Sequence, residues 1–398
     1  MAKHKIVILP GDGIGQIVIN EALRVLDALG FDAEYIHGDI GWEFWKKEGN
    51  PLPQRTIDLI EKHKIALFGA ITSKPKEEAA KELAPELKDK GLTYSSPIVG
   101  LRQHFKLEIS LRPCRTYKGN PLNFIRKKVD GGFEEPMVNV AIFRQNTEGL
   151  YGGVEWSNPP KQVYEALLTH PKFFKNFGNI PKEDLAISTR IFTRGAVERI
   201  LRAAFEHARQ FGFKSVTVAE KPNVIRETSG MMYQIAKELQ KNEYQDIELW
   251  NVNIDAMMMW LTKNPEDFGV IVASNMFGDI VSDAFAGLVG GLGFAAGAQY
   301  NPQTGVAVFE PTHGSAPKYA EYKTSIVNPI AMIESARLML EYIGETEKSK
   351  RISNAISKVI EQGKVKTYDM LKLKGSPEVL KQGAASTREM TDAIIANL

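Results

Sequence analysis

Cysteine is nearly missing from this chain, with one residue, Cys114, in 398. A single thiol excludes an intramolecular disulfide framework and any zinc cluster built from cysteines, and it suits a reducing compartment. An excess of one charge is missing too. The 50 basic and 48 acidic residues leave a net charge of +2, so no global field recruits nucleic acid or an anionic membrane, and no basic stripe or aromatic platform suggests a nucleic-acid surface. No apolar run reaches the ~20 residues that a bilayer span requires, and residues 1–30 lack the basic, apolar and small-residue order of a signal peptide. The expectation is a cytoplasmic protein. No internal repeat is found. What remains is a globular composition, 43% hydrophobic and 25% charged, with length for about two domains.

Hydrophobic periodicity opens an α/β pattern. Residues 5–9 read as a strand, residues 10–15 (Pro-Gly-Asp-Gly-Ile-Gly) as a turn, and Ile14, Val18, Ala22, Val25 and Leu29 as one face of a helix that ends at Gly30. The glycines invite comparison with a dinucleotide fingerprint, but Gln16 stands where that pattern needs glycine, so a tight strand-to-helix turn is expected instead. Further strands are predicted at 65–68, 137–143, 215–219, 247–253 and 268–273. Helices are predicted over 190–210 and 329–342. The charge-laced stretch 74–90 reads as a solvated surface helix or flap, and Met257 to Met259 beside Trp260 as packing.

Asp279 and Asp283 follow the strand 268–273, one helical turn apart and on one face, so both carboxylates can reach one hard divalent cation such as Mg²⁺ or Mn²⁺. An isolated pair with this spacing is more often a solvated helix face. Arg102, Arg112 and Arg144 change the balance: each lies beside an apolar segment, where an unpaired charge is costly. Each alone could serve an internal salt bridge, but together they suit a substrate with several carboxylates, gripped bidentately. Lys221 sits at the mouth of the strand 215–219, with Asn223 two residues on, and is a candidate acid/base group if burial lowers its pKa.

Pro10 to Gly15, Leu111-Arg-Pro113, Asn146 to Tyr151, Lys221-Pro-Asn223, Asn275 to Asp283 and Phe309 to Pro317 together resemble the β-decarboxylating dehydrogenases of isocitrate, homoisocitrate and 3-isopropylmalate. The resemblance runs from residue 5 to about 372. It implies a two-domain α/β fold with discontinuous domains, not a Rossmann fold. Residues 1–106 and 290–398 would form the large domain, 107–148 and 190–289 the small one, and 149–189 a clasp that pairs subunits. Gly290, Gly291 and Gly293 sit at the return crossing, where small residues permit hinge movement. The resemblance further implies that Asp255, from the second subunit of a homodimer, joins Asp279 and Asp283 around Mg²⁺ or Mn²⁺. Lys221 and Asn223 would reach across the same interface. Lys221 would take the substrate's hydroxyl proton, and Tyr151 would return a proton at C3 after CO₂ is lost.

Two further expectations concern specificity. Ser96, before Pro97, matches the serine that isocitrate enzymes of this family use toward the γ-carboxylate, and it is equally a helix cap. Ile98 departs from the asparagine common in isocitrate enzymes, and an apolar residue there also suits homoisocitrate or isopropylmalate. The segment 146–155 resembles the isocitrate version, which keeps isocitrate ahead of homoisocitrate, 3-isopropylmalate or tartrate. Where NAD-using relatives have aspartate after the His-Gly-Ser-Ala-Pro loop, this chain has Lys318, followed by Tyr319; Tyr368 and Lys372 add a second phenol and ammonium. These groups suit the 2′-phosphate of NADP. His313, Gly314, Ser315, Ala316 and Asn328 would hold the adenosine half, with Thr72 near the nicotinamide. A noncatalytic regulatory subunit is the rival from another class, but such subunits tend to lose the metal aspartates, the lysine or the tyrosine, all kept here.

Overall fold

The computed structural model describes residues 2–398. Its centre is one mixed sheet of ten strands. In chain order the strands are β1 (His4–Gly11), β2 (Ala33–His37), β3 (Ile65–Ala70), β4 (Ile109–Arg115), β5 (Arg126–Lys127), β6 (Phe133–Glu134), β7 (Asn139–Gln145), β8 (Glu155–Ser157), β9 (Ala186–Ser188), β10 (Ser215–Glu220), β11 (Glu248–Asn253), β12 (Val270–Ala273), β13 (Ala296–Tyr300) and β14 (Ala307–Pro311). The large sheet runs β11-β10-β12-β7-β4-β13-β14-β3-β1-β2, while β5-β6 and β8-β9 are separate two-stranded pairs.

Parallel pairing governs both flanks, where β3, β10, β12 and most of β1 are buried on both faces and the edge strands β2 and β11 stay partly exposed. The centre differs. β7-β4, β4-β13 and β13-β14 pair antiparallel and form a seam between the two parallel blocks. The sheet's strands from residues 109–145 and 215–273 lie on the β11 side of the β4-β13 pair at the middle of that seam, and those from 4–70 and 296–311 on the β2 side. This order is not that of a Rossmann sheet. Among the described residues no helix is long and apolar enough to cross a membrane.

Three expectations are corrected. The strand predicted at 137–143 is β7, displaced by two residues to Asn139–Gln145, because pairing with β4 continues to Ile109↔Gln145 and carries Arg144 into the sheet. The helix predicted from 190 begins at Arg194, capped by the Thr193 hydroxyl, and leaves Ile191 exposed. The stretch 74–90 is not merely solvated. Ala79 and Leu87 from its two short helices and Leu83 from the bend between them pack with Trp42, Trp45 and Tyr94 into a small core, and Trp45 Nε1 donates to the Ala79 carbonyl at 2.9 Å.

Candidate active site

The antiparallel seam decides which side chains meet. Register places Ser110 opposite both Arg144 and Gln299, and Gly297 opposite Glu310. With a side-chain period of two, Arg112, Arg144, Gln299 and Glu310 therefore share one face of the sheet. Leu111, Phe143, Ala298 and Phe309 point the other way, into the main apolar core. Across the polar face lies the helix Asn275–Leu288, which carries Asp279 and Asp283. It can lie this close because Gly278 faces β7, where a Cβ would stand 2.7 Å from the Cβ of Arg144.

Arg112 Nη1 donates to Asp279 Oδ1 at 3.2 Å, to Asp283 Oδ1 at 3.1 Å and to Ser282 Oγ at 2.8 Å. Arg144 forms an ion pair with Asp279, and its Nε donates to Asn275 Oδ1 at 2.9 Å. Burial, then the nearby charge of Arg112, draws the Arg144 pKa down to about 9, so it stays charged at neutral pH. Arg102 Nε donates to Gln299 Oε1 at 2.6 Å, and its Nη2 lies 3.7 Å from Glu310. Burial lowers the Arg102 pKa and raises that of Glu310. Each buried charge here is held against desolvation, and a bound polyanion would relieve the arginines.

These groups open onto a cleft of about 210 Å³ lined by Ser96, Ile98, Arg102, Arg112, Glu310 and Ile71, among others. Ser96 precedes the helix Pro97–His104, yet its hydroxyl makes no capping hydrogen bond, so the purely structural role expected of it is not used. Tyr151 lies on the single turn Leu150–Gly152, with the Arg144 guanidinium carbon 5.8 Å from its ring centre. Sequence reasoning missed Glu310, Gln299 and Asn275. The available signal for Glu310 was an acid inside an apolar strand, which needs a partner.

Lys221 and Asp255 form a separate pair. Lys221 follows β10, Asp255 lies in the first turn of the helix Ile254–Leu261, and the two side chains make an ion pair. The Lys221 hydrogen bond holds the Asp255 carboxyl below its ordinary range. Asn223 is exposed in the turn beyond. Among the described residues of one chain, no group of three or more His, Cys, Asp or Glu side chains is placed to hold a metal ion. Asp255 therefore does not join Asp279 and Asp283 within a single subunit. Val224, Met259, Trp260 and Ile280, neighbours in sequence of these groups, are all exposed.

The glycine turn ties down a second cavity. Asp12 accepts from the backbone N–H groups of Trp42 and Thr72, each at 2.8 Å, and Ile14 N donates to the Ser315 carbonyl at 2.8 Å. A Cβ on Gly13 would stand 2.3 Å from that carbonyl oxygen, which explains the glycine. Thr72 Oγ1 and Ser315 Oγ are thereby 2.7 Å apart. Beside them a cavity of about 460 Å³ is lined by His313, Gly314, Ala316, Tyr319, Asn328 and Tyr368, together with Gly290 to Gly293 and Asp369. His313 and Gly314 also line the arginine cleft, so the two cavities adjoin. His313 Nε2 and Thr312 Oγ1 are buried without a hydrogen-bond partner, and burial keeps His313 toward its neutral form. Orphaned polar atoms of this kind fit a ligand with its own donors and acceptors. The Lys318 ammonium lies 5.9 Å from the Tyr319 ring centre, and Tyr319 lies 5.8 Å from Tyr368. Lys318 and Lys372 do not line the cavity, whereas Asp369, not anticipated, does.

Residues 5–394 match the family model described as isocitrate/isopropylmalate dehydrogenase. Protein DlpA of Legionella pneumophila subsp. pneumophila is 38% identical over 393 residues, which is 98% of this chain but 58% of that longer protein. A homoisocitrate dehydrogenase of Methanocaldococcus jannaschii is 36% identical over 98% of this chain and 96% of its own length. The crystal structure of isocitrate dehydrogenase from Methylococcus capsulatus superposes with a TM-score of 0.79 at 35% identity, covering 99% of each chain. A mixed sheet with this strand order, two aspartates paired with Arg112 and Arg144 across its polar face, and similarity along nearly the whole length agree: the chain belongs to the isocitrate/isopropylmalate dehydrogenase family.

Proposed function

We propose that this protein oxidises and decarboxylates isocitrate to 2-oxoglutarate and CO₂, with NADP⁺ as oxidant and Mg²⁺ or Mn²⁺ as the required cation, acting as a homodimer with shared active sites. The observation that carries the reading is Arg112, which lines the cleft together with Arg102, bridging Asp279 and Asp283, while Arg144 pairs with the same Asp279. Two carboxylates one turn apart supply hard oxygen ligands, and the arginines that now satisfy them supply carboxylate grips. When bound, the cation polarises the substrate's oxygens and stabilises the negative charge that decarboxylation develops.

The chain's own groups do the rest. Arg102, Arg112 and Arg144 bind and orient the carboxylates, and Ser96, with its hydroxyl free of any capping bond, donates to the γ-carboxylate. Lys221, once present as the neutral amine, would accept the C2 hydroxyl proton during oxidation at C2, and Tyr151 would deliver a proton to C3 once CO₂ has gone. Lys221, Asn223 and Asp255 enter from the second subunit. Support for that arrangement is the exposure of four apolar side chains, Val224, Met259, Trp260 and Ile280, near the catalytic segments in sequence, which a second copy of the chain would cover. Residues 149–189 serve as the clasp between subunits, and the large and small domains meet at the β4-β13 seam. On the coenzyme side, Thr72, His313 to Ala316 and Asn328 hold the nucleotide, with Lys318, Tyr319, Tyr368 and Lys372 at its 2′-phosphate.

A second reading is a homoisocitrate or 3-isopropylmalate dehydrogenase. Ile98 and Ile71 in the cleft wall favour it, because they offer an apolar surface to a longer or branched substrate arm. Initial rates with isocitrate, homoisocitrate, 3-isopropylmalate and tartrate, each with NADP⁺ and NAD⁺ and with EDTA as control, decide. Isocitrate with NADP⁺ is expected to be fastest and EDTA to abolish turnover. Turnover that survives EDTA, or an isopropylmalate rate tenfold above the isocitrate rate, overturns the proposal.

A further inference from the structure

Behind the catalytic segments lies a buried ion pair that the mechanism above does not use. Glu220, the last residue of β10, is fully buried. Its Oε1 accepts from the backbone N–H of Ser274 at 2.8 Å, and its Oε2 accepts from Ser229 Oγ at 2.6 Å and from Arg190 Nη2 at 2.8 Å. Arg190 continues the network, donating from Nη2 to Ser274 Oγ at 2.8 Å and from Nη1 to Thr228 Oγ1 and Ser229 Oγ, both at 2.9 Å. Its guanidinium carbon sits 4.6 Å from the Phe192 ring centre and 5.2 Å from that of Phe277.

The positions of these partners matter more than their number. Glu220 immediately precedes Lys221. Ser274 is the N-cap residue of the helix bearing Asp279 and Asp283. Thr228 and Ser229 open the helix Thr228–Glu243, which follows the turn holding Asn223. Arg190 ends the stretch from Tyr151 through β8 and β9, and Gly149 N donates to the Ile191 carbonyl at 2.9 Å. One carboxylate thus sits at the start of two helices, where partial positive charge favours it, and one planar fork joins four segments.

We infer that Glu220 and Arg190 are positioning residues, a buried clamp that fixes the chain segment of Lys221, which serves the partner's site, against those of the paired aspartates and of Tyr151, which serve the chain's own site, so that it holds both sites of the dimer in register. The inference rests on the proposed roles of those three groups. Breaking a buried pair leaves its partner uncompensated, and a displacement of about 1 Å at a reacting group can cost on the order of 100-fold in rate. The expected signature is therefore a loss in kcat, with substrate affinity, set by Ser96, Arg102, Arg112 and Arg144, largely kept.

Steady-state kinetics and thermal melting of the full-length enzyme test this with Glu220→Gln, Arg190→Met and Arg190→Lys, alongside Lys221→Met as a reference. Glu220→Gln and Arg190→Met are expected to lower kcat at least tenfold, with KM for substrate within threefold of wild type. Arg190→Lys, which keeps the charge but not the fork, should recover part of that loss. The double variant Glu220→Gln/Arg190→Met should be no worse than the poorer single variant, since a clamp removed once cannot be removed again. A folded Glu220→Gln enzyme with wild-type kcat, or losses that multiply in the double variant, overturns the clamp. Should Glu220→Gln fail to fold, wild-type kcat in a folded Arg190→Met enzyme overturns it equally. If Lys221→Met itself retains full activity, the underlying catalytic assignment fails instead, which separates the two outcomes.

Discussion

Gly278 and Arg144 face each other at the closest approach of the aspartate helix to the sheet, with 2.7 Å between the arginine Cβ and the point where a glycine Cβ would lie. Gly278→Ala is expected to push the helix off β7. Overpacking of this kind costs about 1–3 kcal/mol, and kcat/KM should fall at least tenfold as Asp279 moves. Gly287 in the same helix has open space at its Cβ position, so Gly287→Ala should raise the melting temperature, because alanine is favoured over glycine by about 1 kcal/mol in a helix. Melting curves and kinetics of both variants check the contrast.

The proposed sharing of active sites between subunits predicts complementation. Asp279→Asn and Lys221→Met homodimers should each be inactive. In a mixed dimer one site carries both lesions and the other carries neither, so after random subunit exchange activity should return to about a quarter of wild type. No recovery after exchange, verified by mass spectrometry of mixed dimers, places every catalytic group within one chain.

Coenzyme choice is expected to depend on the cations beside Tyr319 and Tyr368. Lys318→Asp removes one charge-assisted hydrogen bond and adds repulsion, so the ratio of kcat/KM for NADP⁺ over NAD⁺ should fall by roughly tenfold or more. An unchanged ratio assigns Lys318 to the solvated surface.

His207 lies among Phe143, Phe211 and Phe213, and burial brings its pKa from 6.5 down to about 4. The folded state thus resists a proton that the unfolded chain accepts. Stability from this group is complete above pH 6.5 and declines as pH falls toward 4, by roughly 2 kcal/mol at pH 5. His207→Phe should flatten that part of the stability curve, measured by urea unfolding at pH 7 and pH 5.

Much of this site could be read from one dimension. The i, i+4 spacing of Asp279 and Asp283, the strand before Lys221 and the arginines beside apolar runs are local signals, and the helix and strands they predicted are present. What was hidden depends on pairing between distant segments. Arg144 entered a strand only because β4 extends along it. Gln299 and Glu310 reach Arg102 only through the register of β13 and β14. Trp42 and Trp45 gave the 74–90 stretch a small core that its own charged composition conceals. The Glu220–Arg190 pair joins residues 30 apart in sequence, and no periodicity announces it.

The antiparallel seam has one more consequence. Because β7, β4, β13 and β14 form an unbroken hydrogen-bonded ladder, the two flanks cannot swing about a slack tether. Any motion that narrows the cleft must coil the ladder itself, as twisted sheets do. A substrate bound by Arg112 and Arg144 as proposed would be held on the very strands that bend, so ligand binding and elastic restoring force would act on the same few peptide planes.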